Sequence, residues 1–478
     1  MRRNKGTIFI KITVIFLIGI SVAIISLPMA DIILQHRLTL YFKPLMIVLL
    51  IMLILYSIKN YINQIDFFHP LIGFPVAYSL FFIFGSINFI DDPNINGFSL
   101  FKPMTLYIYI YWLIGLVCFY IGYLFFSLIL KKESKVKSNK KRSNEKGLPN
   151  NNFPILILFG LGNVVYISII TKYGIPILAN DVSQLRIDAT SNGLFTTVLL
   201  SAYWCCMLLL FAHIIHSKIG RYKKIIFMAL IVIMLIELYS LGNRGYIFGP
   251  LITMLFMYHF IKRKIEVHRL LLTGMGLFTL FGFMGLQRNI SHFGEYYVSQ
   301  LLNWGFKEEF LWLVPSYLYI RTPISTFREI STLIPESVEF QFGKQFLSPF
   351  ASLLPGSNES TDLFFKKILE LDFVGFGTPA TLLGVFYSDL GILGIILGMF
   401  FVSLITFITY NNMIIKQTVE SKIYYAYLLK VLFMSLYGSF FPYFIVLWIP
   451  ILIKIAIDFS KVVSLKELPG KYVKTTNR

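Results

Sequence analysis

Long apolar runs recur along the whole chain, and they restrict its fold more than any other feature. Most are about 18 residues or longer and carry few charges, which is the length that an α-helix needs to cross a bilayer. Hydrocarbon offers the backbone no hydrogen-bonding partner, so only helices and closed β-barrels can span it. The alternating segments of a barrel, roughly ten residues each, are not visible. The runs therefore predict an all-α polytopic membrane protein.

About twelve transmembrane helices are predicted from these runs. Because 56% of the residues are hydrophobic, a soluble globular class is excluded. The predicted spans cover residues 12–30, 45–58, 70–90, 104–130, 153–171, 194–216, 225–241, 246–261, 270–286, 385–409, 424–440 and 444–459.

The distribution of basic residues predicts the orientation of these spans. The formal net charge is +19, and the excess lies in short stretches between the apolar runs. If the spans alternate, those stretches all fall on one side, and basic loops face the cytoplasm. Both termini are then cytoplasmic. The positive charge reflects the cytoplasmic loops, and we expect no nucleic-acid partner. The three cysteines lie in apolar runs without metal-ligand spacing, so we expect no metal or cofactor.

The chain divides into spans, linkers and one large loop. Residues 288–384 form the only long stretch between spans that is not itself a span, and they lie on the outer side between helices 9 and 10. No ATP or nucleotide-sugar is available there. The apolar patterns near 296–320 and 361–371 predict a helical subdomain packed on the bundle. The predicted units are N-terminal spans (1–130), a basic cytoplasmic linker (131–152), central spans (153–287), the loop (288–384), C-terminal spans (385–460) and a cytoplasmic tail (461–478).

Four arginines lie at or beyond the predicted outer ends of spans: Arg186, Arg244, Arg288 and Arg321. An arginine below the membrane surface is costly unless it is paired, which marks a functional site. Guanidinium groups match phosphate oxygens, so we expect these four to bind a lipid diphosphate. The alternative is an interfacial anchor that reaches the lipid headgroups.

Acid–base candidates lie in the same region. His292 lies three residues beyond the Arg288-Asn289 pair that ends a predicted span, and it could deprotonate a sugar hydroxyl near neutral pH. The alternative is a surface histidine without a role. Asp389, inside the next apolar run, is a candidate partner for one of the arginines. The catalytic residues are predicted to be His292, Arg244 and Arg288, and neither a nucleophile motif nor a metal motif accompanies them.

Three motifs carry a resemblance to a known family. They are Gly174-Ile-Pro-Ile-Leu178 followed by Arg186, the Gly242-Asn-Arg-Gly245 turn, and the Gly377–Gly391 stretch that leads into a span. With these motifs and this topology, the chain resembles the Wzy-type oligosaccharide repeat-unit polymerases of bacterial O-antigen and capsule synthesis. The resemblance implies a fold similar to the C-type glycosyltransferases and a bacterial inner-membrane location. It also implies transfer of a glycan from undecaprenyl diphosphate onto the next lipid-linked repeat unit, with a chain-length regulator and a flippase as partners.

Two other functions are compatible with the same topology. An O-antigen ligase uses the same kind of donor and relies on a histidine in its outer loop, which would assign more weight to His292. A non-enzymatic flippase or transporter of lipid-linked sugars would need charged residues through the bundle interior, and mid-span charges are scarce.

Overall fold

The computed structural model describes most of the chain after residue 65. The described residues are 47, 66–87, 102–137, 148, 152–179, 185–186, 188–189, 193–216, 219–351, 361–371, 378–438 and 444–466. These residues are almost entirely helical and contain no β-strand, which confirms the all-helical prediction for this part of the chain.

The described part of the chain contains fourteen α-helices. The α-helices are α1 (Gly73–Gly85), α2 (Leu106–Lys137), α3 (Phe153–Tyr173), α4 (Gly193–His216), α5 (Arg221–Ser240), α6 (Arg244–Met257), α7 (Val267–Phe293), α8 (Glu295–Asn303), α9 (Val314–Leu333), α10 (Lys344–Ala351), α11 (Thr361–Ile368), α12 (Thr381–Lys416), α13 (Val419–Met434) and α14 (Phe444–Lys466). A 3₁₀ turn at Pro176–Leu178, another at Glu308–Leu313 and a π-helical turn at Tyr258–Lys262 lie between them.

Within this described part, five helical segments are long and apolar enough to cross a membrane. They are Leu106–Leu130, Phe153–Leu178, Thr196–His216, His268–Ser291 and Thr381–Lys416, and each overlaps a predicted span. Helices α1, α5, α6, α13 and α14 overlap five further predictions. The predicted spans 12–30 and 45–58 lie outside the described residues. Helix α2 continues to Lys137, into the segment predicted as a linker.

Helices α2 and α12 pack closely along their length at the centre of the bundle. Gly122 of α2 makes the close approach possible, because a Cβ atom there would lie 2.0 Å from the Ser403 Oγ atom of α12. Small residues at such contacts let two backbones approach and strengthen van der Waals packing in lipid. Trp112 of α2 is fully buried in the same core.

Helix α12 contains a sharp break. Leu390 and Gly391 leave helical geometry, and Gly391 adopts φ +61° and ψ −139°. Only glycine adopts this combination readily. The predicted span 385–409 lies within the spanning segment Thr381–Lys416, which the break divides into a short limb, Thr381–Asp389, and a longer one. The apolar run continues through the break, so hydropathy did not reveal it.

We expect Gly391→Ala to destabilise the protein by roughly 1–3 kcal/mol, because alanine is strained at this backbone geometry. The new Cβ atom would also lie 3.0 Å from the Phe340 ring. Thermal unfolding in detergent measures the change. Gly274→Ala is the matched control, since its Cβ would meet nothing within 4 Å in helix α7. Equal melting temperatures for the two variants would contradict the strain argument.

The predicted outer loop packs on the bundle through helix α9 and the 3₁₀ turn before it. Ser316 donates a hydrogen bond to the Phe278 carbonyl of α7 at 2.7 Å. Trp312 stacks on Phe283 of the same helix with ring centroids 5.1 Å apart. Helix α9 also contacts α1 and α12. It therefore joins α1, α7 and α12, and its Tyr319 ring also reaches Tyr437 after α13.

Candidate functional site

Arg186 and Arg288 lie close enough for their charges to interact. Arg186 lies in the short segment before α4, and Arg288 lies in the last two turns of α7. Burial lowers the pKa of Arg186, and the positive charge of Arg288 lowers it further, whereas Tyr246 and Tyr319 act in the opposite direction. Two of the four predicted phosphate-binding arginines are thus brought together from segments far apart in the sequence.

Aromatic side chains form a wall beside this arginine pair. The Tyr319 ring of α9 lies 4.5 Å from Phe281 of α7 and 5.2 Å from Tyr437 at the end of α13. Phe248 of α6 extends the wall, with its ring 5.2 Å from Phe281. Tyrosine combines an apolar face with a polar hydroxyl group, and such groups line sites for partly polar ligands.

Tyr297 of α8 also interacts with Arg288. Burial raises the pKa of Tyr297, while the charge of Arg288 lowers it. The cationic pair is therefore approached by tyrosines from α6, α8 and α9. Two guanidinium groups held together repel each other, and an anion with two phosphates bound between them would relieve that repulsion.

Arg244 is the first residue of α6, at the turn that the sequence predicted. Asn243 caps this helix, because its side-chain oxygen accepts a hydrogen bond from the Gly245 N–H at 3.0 Å. Gly242 adopts φ +73°, which allows the tight reversal between α5 and α6. His292 lies in the last turn of α7, one turn after Arg288. The side chains of Arg244 and His292 lie outside the described part of the structure, so their roles stay predictions.

Arg321 has a different environment from Arg186 and Arg288. Its side chain is fully buried, with Nη1 donating to the Gly85 carbonyl at 2.6 Å and Nη2 to the Lys102 carbonyl at 2.8 Å. Arg328, one to two turns later in α9, also donates to the Lys102 carbonyl and pairs with Glu329. These contacts attach α9 to the end of α1 and to the segment before α2. A substrate contact by Arg321 stays a prediction.

Asp389 binds backbone groups of α10. Its carboxylate is almost fully buried and accepts hydrogen bonds from the backbone N–H groups of Gln345 at 3.0 Å and Phe346 at 2.9 Å. These amides belong to the first turn of α10, where a carboxylate complements the helix dipole. We predicted that Asp389 pairs with an arginine, but among the described residues Asp389 forms no ion pair. Its position next to the break in α12 indicates a structural role.

Two ionisable residues inside predicted spans were not among the sequence-based candidates. Glu237 of α5 accepts a hydrogen bond from the Tyr203 hydroxyl of α4. Lys430 of α13 is 2% exposed, and its Nζ atom lies 4.2 Å from the centre of the Trp204 ring. The sequence could have indicated both residues, because each is a charged residue within an apolar run and such intramembrane charges often have a function.

Comparison with protein-family models, with curated proteins and with solved structures finds no match for this chain. Among the residues that the structure describes, no group of three or more histidine, cysteine or acidic residues could hold a metal ion. The candidate site is consequently defined by its own geometry, as an arginine pair beside a tyrosine-rich wall at the meeting point of α6, α7, α9 and α13.

Proposed function

We propose that this chain is a glycosyltransferase, the polymerase that assembles oligosaccharide repeat units in O-antigen, capsule or exopolysaccharide synthesis. The observation that carries the proposal is the approach of Arg186 and Arg288 to each other beside tyrosine side chains. A pair of cations at the ends of apolar helices suits a diphosphate attached to a membrane-embedded isoprenoid.

The proposed reaction transfers the growing glycan from its undecaprenyl diphosphate carrier. A hydroxyl oxygen of the next lipid-linked repeat unit attacks the anomeric carbon of the donor sugar. The bond between that carbon and the phosphate oxygen breaks, and undecaprenyl diphosphate leaves with the electron pair. Negative charge develops on the leaving oxygen, so arginines placed there stabilise the transition state more than the ground state.

The attacking hydroxyl must lose a proton during this transfer. His292 is our candidate for the general base, since imidazole accepts a proton near neutral pH. Its backbone lies one helical turn from Arg288.

The proposal includes a membrane arrangement. The protein has about twelve spans and a fold like the C-type glycosyltransferases, with loop 288–384 outside and both termini in the cytoplasm. It lies in the bacterial inner membrane, where lipid-linked repeat units arrive through a flippase and a chain-length regulator acts on the product.

Reconstitution tests the proposed activity. Purified protein in liposomes receives lipid-linked repeat units without ATP or nucleotide-sugars, and gel electrophoresis of the product reports glycan length. We expect a ladder of longer glycans and release of undecaprenyl diphosphate. If the glycan instead moves to a lipid A core acceptor, the protein is a ligase. Movement of intact lipid-linked units across the bilayer without lengthening would identify a transporter, which the intramembrane Glu237 and Lys430 would suit.

We expect Arg244→Ala to abolish polymerisation while the amount of protein in the membrane stays unchanged. Loss of the cation removes phosphate binding, whereas the Asn243 cap and the Gly242 turn that shape this helix start remain. Glycan length in a strain that carries the variant measures activity, and immunoblotting of membranes measures protein. Wild-type chain length would exclude Arg244 from the site.

A further inference from the structure

The first turn of α6 contains a carbonyl group that its own helix leaves without a donor. In an α-helix the carbonyl of Tyr246 accepts the N–H of the residue four positions later. That residue is Pro250, which lies inside α6 and has no N–H. A buried carbonyl without a donor is unfavourable, so this group needs a partner from another element.

Trp204 of α4 supplies the missing donor. Its indole Nε1–H donates to the Tyr246 carbonyl at 3.0 Å. Gly249 makes room for the ring, because a Cβ atom there would lie 2.4 Å from the Trp204 Cη2 atom and 3.2 Å from the Lys430 Cε atom. Proline and glycine in adjacent positions of α6 therefore create both the acceptor and the space that the indole occupies.

Lys430 of α13 lies over a face of the same indole. Its ammonium lies 4.2 Å from the centre of the Trp204 ring and 5.3 Å from that of Tyr427. No carboxylate of the described chain forms an ion pair with it. A cation over an indole face is attracted by the ring quadrupole, most strongly where water is excluded. The buried charge thus fixes the plane of Trp204 and the direction of its N–H.

We propose that Lys430, Trp204 and Pro250 form a latch that positions the first turn of α6 in the arginine site. This turn carries Tyr246, whose side chain interacts with Arg186. Lys430 and Trp204 are positioning residues, because they act through Tyr246 and the start of α6. The role of the latch in catalysis rests on the proposed function, whereas its role in ordering α6 does not.

A double-mutant cycle between Trp204 and Pro250 tests the latch. Trp204→Phe keeps an aromatic ring and removes the N–H donor, whereas Pro250→Ala restores a helical donor to Tyr246. We expect Trp204→Phe to speed amide hydrogen exchange across residues 244–249 by about 10-fold, and by less than about 3-fold in the Pro250→Ala background. Mass spectrometry of full-length protein in nanodiscs provides the measurement.

Lys430→Met is the second variant, and it keeps an unbranched side chain of similar size while removing the charge over the ring. We expect faster exchange in the same peptide, by about 3-fold, while the exposed Lys454→Met on α14 has no effect there. In the polymerisation assay, Trp204→Phe should raise the apparent KM for the lipid-linked donor about 10-fold with little change in kcat, and Pro250→Ala should restore it. A merely structural defect would lower the amount of active protein instead.

The hydrogen-exchange measurement and the polymerisation assay test the latch and the proposed function separately. Equal acceleration of exchange by Trp204→Phe in both backgrounds would overturn the latch. If the exchange rates show coupling between Trp204 and Pro250 but Trp204→Phe leaves the KM of an active enzyme unchanged, the latch does not position the arginine site. If wild-type protein polymerises nothing while the exchange cycle shows coupling, the ordering of α6 by the latch is supported and the proposed function fails.

Discussion

Replacing Arg186 or Arg288 with glutamine is expected to slow polymerisation by about 10²- to 10³-fold, with normal amounts of protein in the membrane. The physical reason is the charge that develops on the diphosphate leaving group, which glutamine does not neutralise. Burial lowers the pKa of Arg186, and the charge of Arg288 lowers it further, so the two arginines act on the same region. We therefore expect the double variant to lose less than the product of the two single losses.

Initial rates with lipid-linked repeat units in liposomes measure this effect. Arg269→Gln is the matched control, because Arg269 lies at the opposite end of α7, is 60% exposed and pairs with Glu266. It should polymerise at the wild-type rate. Wild-type rates for both Arg186→Gln and Arg288→Gln would remove the arginine pair from the mechanism, and the proposed function would lose its main support.

Replacing Arg321 with methionine is expected to destabilise the protein on the order of 3 kcal/mol and to reduce its accumulation in the membrane. The Gly85 carbonyl would lose the guanidinium hydrogen bond at 2.6 Å, and a space would open in the contact between α9 and α1. Arg321→Lys should not restore stability, because one ammonium group does not reproduce the fork that reaches both Gly85 and Lys102.

Thermal unfolding in detergent and immunoblotting of membranes measure the Arg321 variants. Arg263→Met serves as the control, since Arg263 is 66% exposed and surface substitutions usually change stability by less than about 0.5 kcal/mol. If Arg321→Met keeps its melting temperature and loses only polymerisation, Arg321 is a substrate contact and not a structural anchor.

The positions of most helices could be predicted from hydropathy alone. The five spanning segments that the described chain contains fall where the apolar runs predicted them, because a helix in lipid must satisfy its own backbone. The break at Leu390–Gly391 was missed, since it depends on one glycine conformation and not on the apolar pattern. The division of the predicted outer loop into α8, a 3₁₀ turn and α9 was also not predicted, because this stretch has no regular apolar period.

The sequence predicted the same phosphate-binding role for all four arginines, because each lies near the end of a predicted span. Their environments separate them: Arg186 and Arg288 share a tyrosine-lined region, whereas Arg321 donates to carbonyls of Gly85 and Lys102. Arg186 and Arg288 lie more than 100 residues apart in the sequence, so no local pattern could have grouped them.

Composition and periodicity by themselves determined that this chain is a bundle of apolar helices, because the membrane imposes the length and polarity of each segment. Which charged groups meet was decided by tertiary structure. Packing around Gly122, Gly249 and Gly391 sets how closely the helices approach, and that geometry determines whether a guanidinium or ammonium group faces another cation, a carbonyl or an indole ring. Such contacts depend on distances of a few ångströms between remote segments, and hydropathy carries no information about them.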